Sequence, residues 1–138
     1  MSHVKALFHI VFSTKNRLPA LNAQHRNELF SYICGIAINK SCHPYIVNGV
    51  DDHLHMLVDL HSTVSLSDFV KEIKRCSSIF LRDSKQFPLF SGWEREYAAF
   101  SCSESHKGAV IDYIKTQEMH HKKVNSFDEL QHLLSRNF

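Results

Sequence analysis

Residues 42–60 leave no room for a helix. Two runs that favour extended backbone, "CHPYIVNGV" (42–50) and "HLHMLVDL" (53–60), are separated only by Asp51 and Asp52. Strands joined that tightly pair antiparallel as a hairpin. Pro44 places the first of them at an edge or at its own beginning. In the second run Leu54, Met56, Val58 and Leu60 point to one face, and His53, His55, Leu57 and Asp59 to the other. One face therefore asks for an apolar cover, and the opposite face carries two imidazoles side by side.

The remaining patterns supply that cover. "HVKALFHIVFST" (3–14) alternates Val4, Ala6, Phe8, Ile10 and Phe12 against Lys5, Leu7, His9, Val11 and Ser13, which predicts a strand. Residues 21–40 place Leu29, Ile33, Ile36 and Ala37 at helical spacing, with Asn22 as a candidate cap. Residues 65–84 form the clearest helix. Leu66, Phe69, Val70, Ile73, Phe80 and Leu81 make one stripe, Ser65 or Ser67 caps it, and Lys71, Lys74, Arg75 and Arg82 fall away from it. "REYAAFSCS" (95–103) reads as a fourth strand, 104–123 as a third long helix, and 126–138 as a short closing helix with Ser126 and Glu129 in a capping box. No repeat, linker or low-complexity tract interrupts the chain. The order predicts an α/β (α+β) fold: one ferredoxin-like βαββαβ antiparallel sheet with two helices on one face and a helical tail, as a single domain over 1–138. The helices need the face of Leu54 through Leu60, so His53 and His55 are expected on the face they leave open. Sheets of this plan commonly bind single-stranded nucleic acid there.

Composition narrows the setting. A chain of 138 residues buries about two-thirds of its unfolded surface. No run approaches the ~20 apolar residues of a membrane span, and Lys5 and His9 break any signal-peptide pattern, so a cytoplasmic protein without a membrane is expected. Cys34, Cys42, Cys76 and Cys102 show no C-x-x-C spacing and read as buried thiols. A net charge of +2 neither demands nor excludes nucleic acid. With 11 histidines, about one H-x-H pair arises by chance, so the pair needs company before it means chemistry.

The third helix provides the company. Tyr113 and Gln117 are four residues apart and share a face one turn apart, which Val110 and His121 extend. A phenol is a nucleophile toward phosphorus once deprotonated, and an amide carbonyl is a metal ligand. H-hydrophobe-H on a strand followed by Y-x-x-x-Q on a helix resembles the HUH endonucleases. More closely, the chain is similar to the small single-strand transposases of the one-tyrosine class, including the REP-associated tyrosine transposases. Four ordered stretches carry the resemblance nearly end to end: "HIVFSTKNR" (9–17), "VNGVDDHLHMLV" (47–58), "AAFSCSES" (98–105) and "YIKTQEMHHKK" (113–123). Two features depart from the family pattern: Asp51-Asp52 stands where Pro-Asp is common, and "EREYAAF" lacks the usual glycines.

The resemblance implies a role for each matching residue. His53, His55 and Gln117 match the metal ligands and Tyr113 the nucleophile, which makes the third helix the bearer of the nucleophile. The implied cofactor is Mg²⁺ or Mn²⁺, and imidazole ligands by themselves rank Mn²⁺ first. The implied enzyme is a transposase of prokaryotic cells that cleaves and rejoins single-stranded DNA at hairpin-marked ends through a 5′-phosphotyrosine, without a nucleotide cofactor. It works as a homodimer joined edge to edge, in which the tyrosine helix can complete the partner's site.

Several residues keep two readings. Lys71, Lys74, Arg75 and Arg82 are a solvated stripe or a phosphate-binding one. Lys15 and Arg17 lie in a loop that either touches DNA or does not. Trp93 packs under a loop or stacks on a base. His120 and His121, beside Lys122 and Lys123, are a solvated helix end, with metal or DNA contact as the alternative for His121. Two rival functions stand beside the transposase: a domesticated protein that binds DNA hairpins without transposing, and a small zinc protein that adds a cysteine to His53 and His55.

Overall fold

Ile10 faces Met56 and Phe12 faces Leu54 across two antiparallel strands, and this register organises the whole structure. The structure is a computed structural model and describes residues 3–117. Strands β1 (Leu7–Ser13), β2 (His43–Gly49), β3 (His53–Asp59) and β4 (Ala98–Cys102) form one sheet in the order β2-β3-β1-β4, every neighbouring pair antiparallel. Helix α1 (Arg26–Asn39) links β1 to β2, α2 (Leu66–Ser84) links β3 to β4, and α3 (Lys107–Lys115) follows β4. This is the expected βαββαβ order, with Pro44 on the edge strand β2. Residues 118–123 of the expected third helix, which include His120, His121, Lys122 and Lys123, and the expected closing helix 126–138 lie outside the described residues. Among the described residues no helix is long and apolar enough to cross a membrane.

The core lies on one side of the sheet. Ile10, Phe12, Leu54, Met56 and Val58 meet Leu29, Ile33 and Ala37 of α1 and Phe69, Val70, Ile73 and Leu81 of α2. Each of these side chains larger than alanine, fully withdrawn from water, contributes about 1.5–3 kcal/mol. The Ser65 hydroxyl caps α2 by accepting from the Asp68 N–H at 3.1 Å. All four cysteines are free thiols; Cys42 is buried and the other three only partly so.

Several boundaries differ from the sequence expectation. Strand β1 starts at Leu7, and α3 closes at Lys115 with Thr116 as its C-cap rather than running on as one helix. Helix α1 starts at Arg26 rather than near residue 21; ahead of it the Asn22 side chain accepts from the His25 N–H (3.0 Å) in a turn, and the Leu21 N–H donates to the Asp51 carbonyl (2.8 Å). Strand β4 starts only at Ala98, since Glu94 bonds back to Ser13 and the Glu94 and Arg95 carbonyls accept from the Lys74 amine. Glu104–His106 is a short 3-10 turn that leads into α3 rather than part of it.

The hairpin between β2 and β3 is tight enough to require glycine at one position. A Cβ on Gly49 would overlap the His53 carbonyl oxygen and sit 2.8 Å from the Leu54 Cα, both backbone atoms with nowhere to go. Gly49→Ala is expected to cost about 1–3 kcal/mol, read as a lower urea midpoint at unchanged slope.

Candidate active site

The odd-numbered residues of β3 face away from the core, as the alternation requires, yet they are not open to solvent. His53 is 3% exposed and His55 and Gln117 are fully buried. The two main helices do leave this face free; α3 roofs it. It returns across β2 and β3 after β4, buries Ile114, and is tied down by Asn48 of β2. The Asn48 side-chain amide donates to the Ile114 carbonyl (2.9 Å) and the Lys115 carbonyl (3.3 Å), which satisfies carbonyls that the end of a helix leaves without partners. Near the other end of α3, the Lys107 ammonium lies 4.8 Å from the centre of the Tyr45 ring.

The roof brings the sequence-predicted residues together. The Gln117 amide nitrogen lies 3.5 Å from His53 Nε2. The half-buried Tyr113 ring stands edge-on to His55 with centroids 6.0 Å apart, and 6.4 Å from His9. The His53 and His55 rings are 5.3 Å apart. The helical spacing of Tyr113 and Gln117 sets both side chains over the imidazole pair.

Each imidazole is held from behind. His53 Nδ1 lies 2.7 Å from a carboxylate oxygen of Asp52, which fixes the proton on Nδ1 and leaves Nε2 as the acceptor facing Gln117. Asp52 is itself braced: its carbonyl accepts from the Thr14 N–H (2.9 Å) and hydroxyl (3.2 Å), and Arg17 approaches its other carboxylate oxygen at 4.0 Å. His55 Nδ1 lies 2.8 Å from Nε2 of the buried His9. Among the described residues, no three His, Cys, Asp or Glu side chains gather as a metal-holding group, and the polar side chain that meets the imidazole pair from α3's end is Gln117.

The remaining candidates fall elsewhere. Lys71, Arg75 and Arg82 are exposed on α2, across the sheet from the imidazoles. Arg75 forks onto Glu72 (2.6 and 3.2 Å) and holds that carboxyl down at about 2. Lys74 is turned inward: its amine donates to the Glu94 carbonyl (2.6 Å) and the Arg95 carbonyl (3.1 Å), and burial pushes its pKa below the usual lysine range. Trp93 packs edge-on against Phe12 and Phe90 and gives its N–H to Ser77 (3.0 Å), so its ring is committed to this chain's own interior. Lys15 and Arg17 form an exposed turn at the rim beside Asp52, with Asn16 and Arg17 at φ 59° and 55°. His121 lies outside the described residues. Sequence reasoning did not assign His9, Asn48 or Asp52 to the site. The roles of His9 and Asn48 depend on strand register and on which side chain meets which, and no local pattern carries either; Asp52 touches its own neighbour, and the family's Pro-Asp position was the signal that could have found it.

A family model described as "Transposase IS200 like" matches residues 2–117, a span that ends on Gln117. The chain belongs to the IS200-like transposase family. Among solved structures this transposase is similar to a candidate transposase from Deinococcus radiodurans, at 24% identity over 84% of this chain and 93% of that one, with a TM-score of 0.66. It is also similar to a REP-associated tyrosine transposase solved with a REP hairpin, at 16% identity over 90% of this chain and 73% of that one, with a TM-score of 0.67. At these identities the two structures speak for the fold. No curated protein matches the chain.

Proposed function

We propose that this IS200-like transposase cleaves and rejoins single-stranded DNA with Tyr113 as nucleophile and a divalent cation held by His53, His55 and Gln117. The observation that carries the reading is the meeting of Tyr113 of α3, Gln117 just past its end and the imidazole pair within the same chain. The donor set fits a small divalent ion: two imidazoles, each engaged through Nδ1, and an amide whose oxygen is available by rotation of its planar group. Mn²⁺ suits these donors better than Mg²⁺, and DNA phosphate and water oxygens complete the shell for either. When bound, such an ion polarises the scissile phosphate and offsets the charge that grows on its oxygens.

The chain's own residues do the rest. The half-buried Tyr113 gives up its phenol proton to solvent; a free phenol has a pKa near 10, so the loss would be easier beside a bound cation. Its oxygen bonds to phosphorus as the bond to the 3′ oxygen breaks, and that oxygen takes a proton from solvent, leaving a 5′-phosphotyrosine and a free 3′-OH. In rejoining, a 3′-OH releases its proton to solvent and bonds to the same phosphorus as Tyr113 leaves and takes a proton back. The phosphodiester's energy is conserved throughout, so no nucleotide cofactor is required. The hairpin bound by the REP-associated relative supports hairpin-marked DNA ends as the substrate class for this chain. A cytoplasmic homodimer joined through sheet edges belongs to the same reading, with β2 and β4 as the two edges.

The test uses 3′-labelled single-stranded oligonucleotides that carry imperfect hairpins with varied flanks, incubated with protein and Mn²⁺. A denaturant-resistant adduct that retains the 3′ label is expected. Hairpin binding without an adduct would instead support a domesticated binding protein. Because Tyr113 lies beside the imidazoles of its own chain, the reaction is expected in cis. A mixture of Tyr113→Phe and His53→Ala proteins should then form no adduct, whereas a recovered adduct would place the reacting tyrosine on the partner.

A further inference from the structure

We infer that His9 is a positioning residue for the metal ligand His55, holding it by hydrogen bonding in the tautomer that a cation requires. The inference rests on the metal reading above and adds to it a residue from a different strand. In the β1–β3 register Val11 stands opposite His55 and His9 opposite Leu57, so His9 reaches His55 along the diagonal on the same face. Its Nε2 lies 2.8 Å from His55 Nδ1, a distance that places one proton between them. Two arrangements satisfy that bond. If His55 Nδ1–H donates to His9, the His55 Nε2 keeps its lone pair, as coordination requires. If His9 donates, neutral His55 carries its proton on Nε2 and presents no lone pair there.

The parallel with His53 points to the first arrangement. His53, the other imidazole of the pair, is already held through its own Nδ1 by Asp52, so the same atom is engaged in both rings. His9 is 3% exposed, and its ring lies 6.0 Å from Phe100 and 6.4 Å from Tyr113. A buried polar ring in aromatic company is costly unless its hydrogen bonds are made, and the bond to His55 is one that the fold supplies. A partner that fixes the tautomer and ring orientation of a metal-bound histidine is typically worth 10–100-fold in metal affinity. His9 thus does for His55 what Asp52 does for His53, with a neutral acceptor in place of a charged one.

The test measures Mn²⁺ affinity without DNA for the wild-type, His9→Leu and His9→Gln proteins, together with the ¹⁵N spectra of the imidazoles in the metal-free state. His9→Leu is expected to weaken Mn²⁺ binding by about 10–100-fold. His9→Gln, whose amide oxygen can accept where Nε2 did, is expected to recover most of it. The spectra are expected to show His55 protonated on Nδ1. Wild-type affinity in His9→Leu, or a proton on His55 Nε2, overturns the inference while leaving the metal reading intact. A wild-type protein that binds no Mn²⁺ removes both. Should His9→Leu not fold, the wild-type tautomer and the His9→Gln affinity decide.

Discussion

Tyr113→Phe is expected to give a folded protein that binds Mn²⁺ as the wild type does and forms no covalent adduct with DNA. The change removes one oxygen and keeps the ring, so the edge-on contacts with His55 and His9 survive. The ring is only half buried, and the stability change should stay within about 1 kcal/mol, the worth of one hydrogen bond. Gln117 and the imidazoles keep their places, because α3 is fixed by Ile114 and by the Asn48 amide rather than by the phenol. Strand transfer loses its nucleophile outright, a rate loss on the order of 10⁴-fold or more. The readout is the 3′ label that remains with protein on a denaturing gel. An adduct of wild-type yield from the variant would remove Tyr113 from the reaction and the proposed function with it.

His55→Ala is expected to remove both metal binding and adduct formation. The residue is fully buried, and its loss takes away a donor while leaving His9 with one partner fewer. Mn²⁺ affinity should fall by more than about 100-fold, since a direct ligand outweighs the partner that orients it. Stability should fall by about 1–3 kcal/mol for the polar atom left behind. Chelation of the wild-type protein separates the two effects: the adduct should vanish with EDTA and return with added Mn²⁺, while the fold is untouched. Retention of wild-type Mn²⁺ affinity by His55→Ala would move the metal elsewhere. Tyr113→Phe and His55→Ala thus divide the chemistry, one losing only the attack and the other losing the ion as well.

The alternation over 53–60 was legible because a strand's period of two is written residue by residue, and the α2 stripe with its Ser65 cap for the same reason at period 3.6. The Tyr113–Gln117 spacing was legible too, although α3 closes at Lys115 and Gln117 lies just past its C-cap. What the sequence withheld was everything that needs two distant segments at once. The diagonal from His9 to His55 follows from the β1–β3 register, the burial of the imidazoles from where α3 comes to rest, and the grip of Asn48 from a β2 side chain meeting a helix end. The cationic stripe on α2 shows the same limit. Periodicity set Lys74 apart from the apolar face, but only the fold reveals that its amine is turned toward the carbonyls of Glu94 and Arg95.

Strand β3 is paired on both sides, by β1 and by β2, and covered on both faces. The paired imidazoles are therefore built into the part of the chain that local opening reaches last. Tyr113 rides instead on a nine-residue helix moored to that sheet through Ile114, Asn48 and Tyr45. The division of labour is mechanical as well as chemical. In the proposed reaction, the anchorage for the phosphate would stay still, and the arm that carries off a severed strand would be the piece that comes loose at least cost.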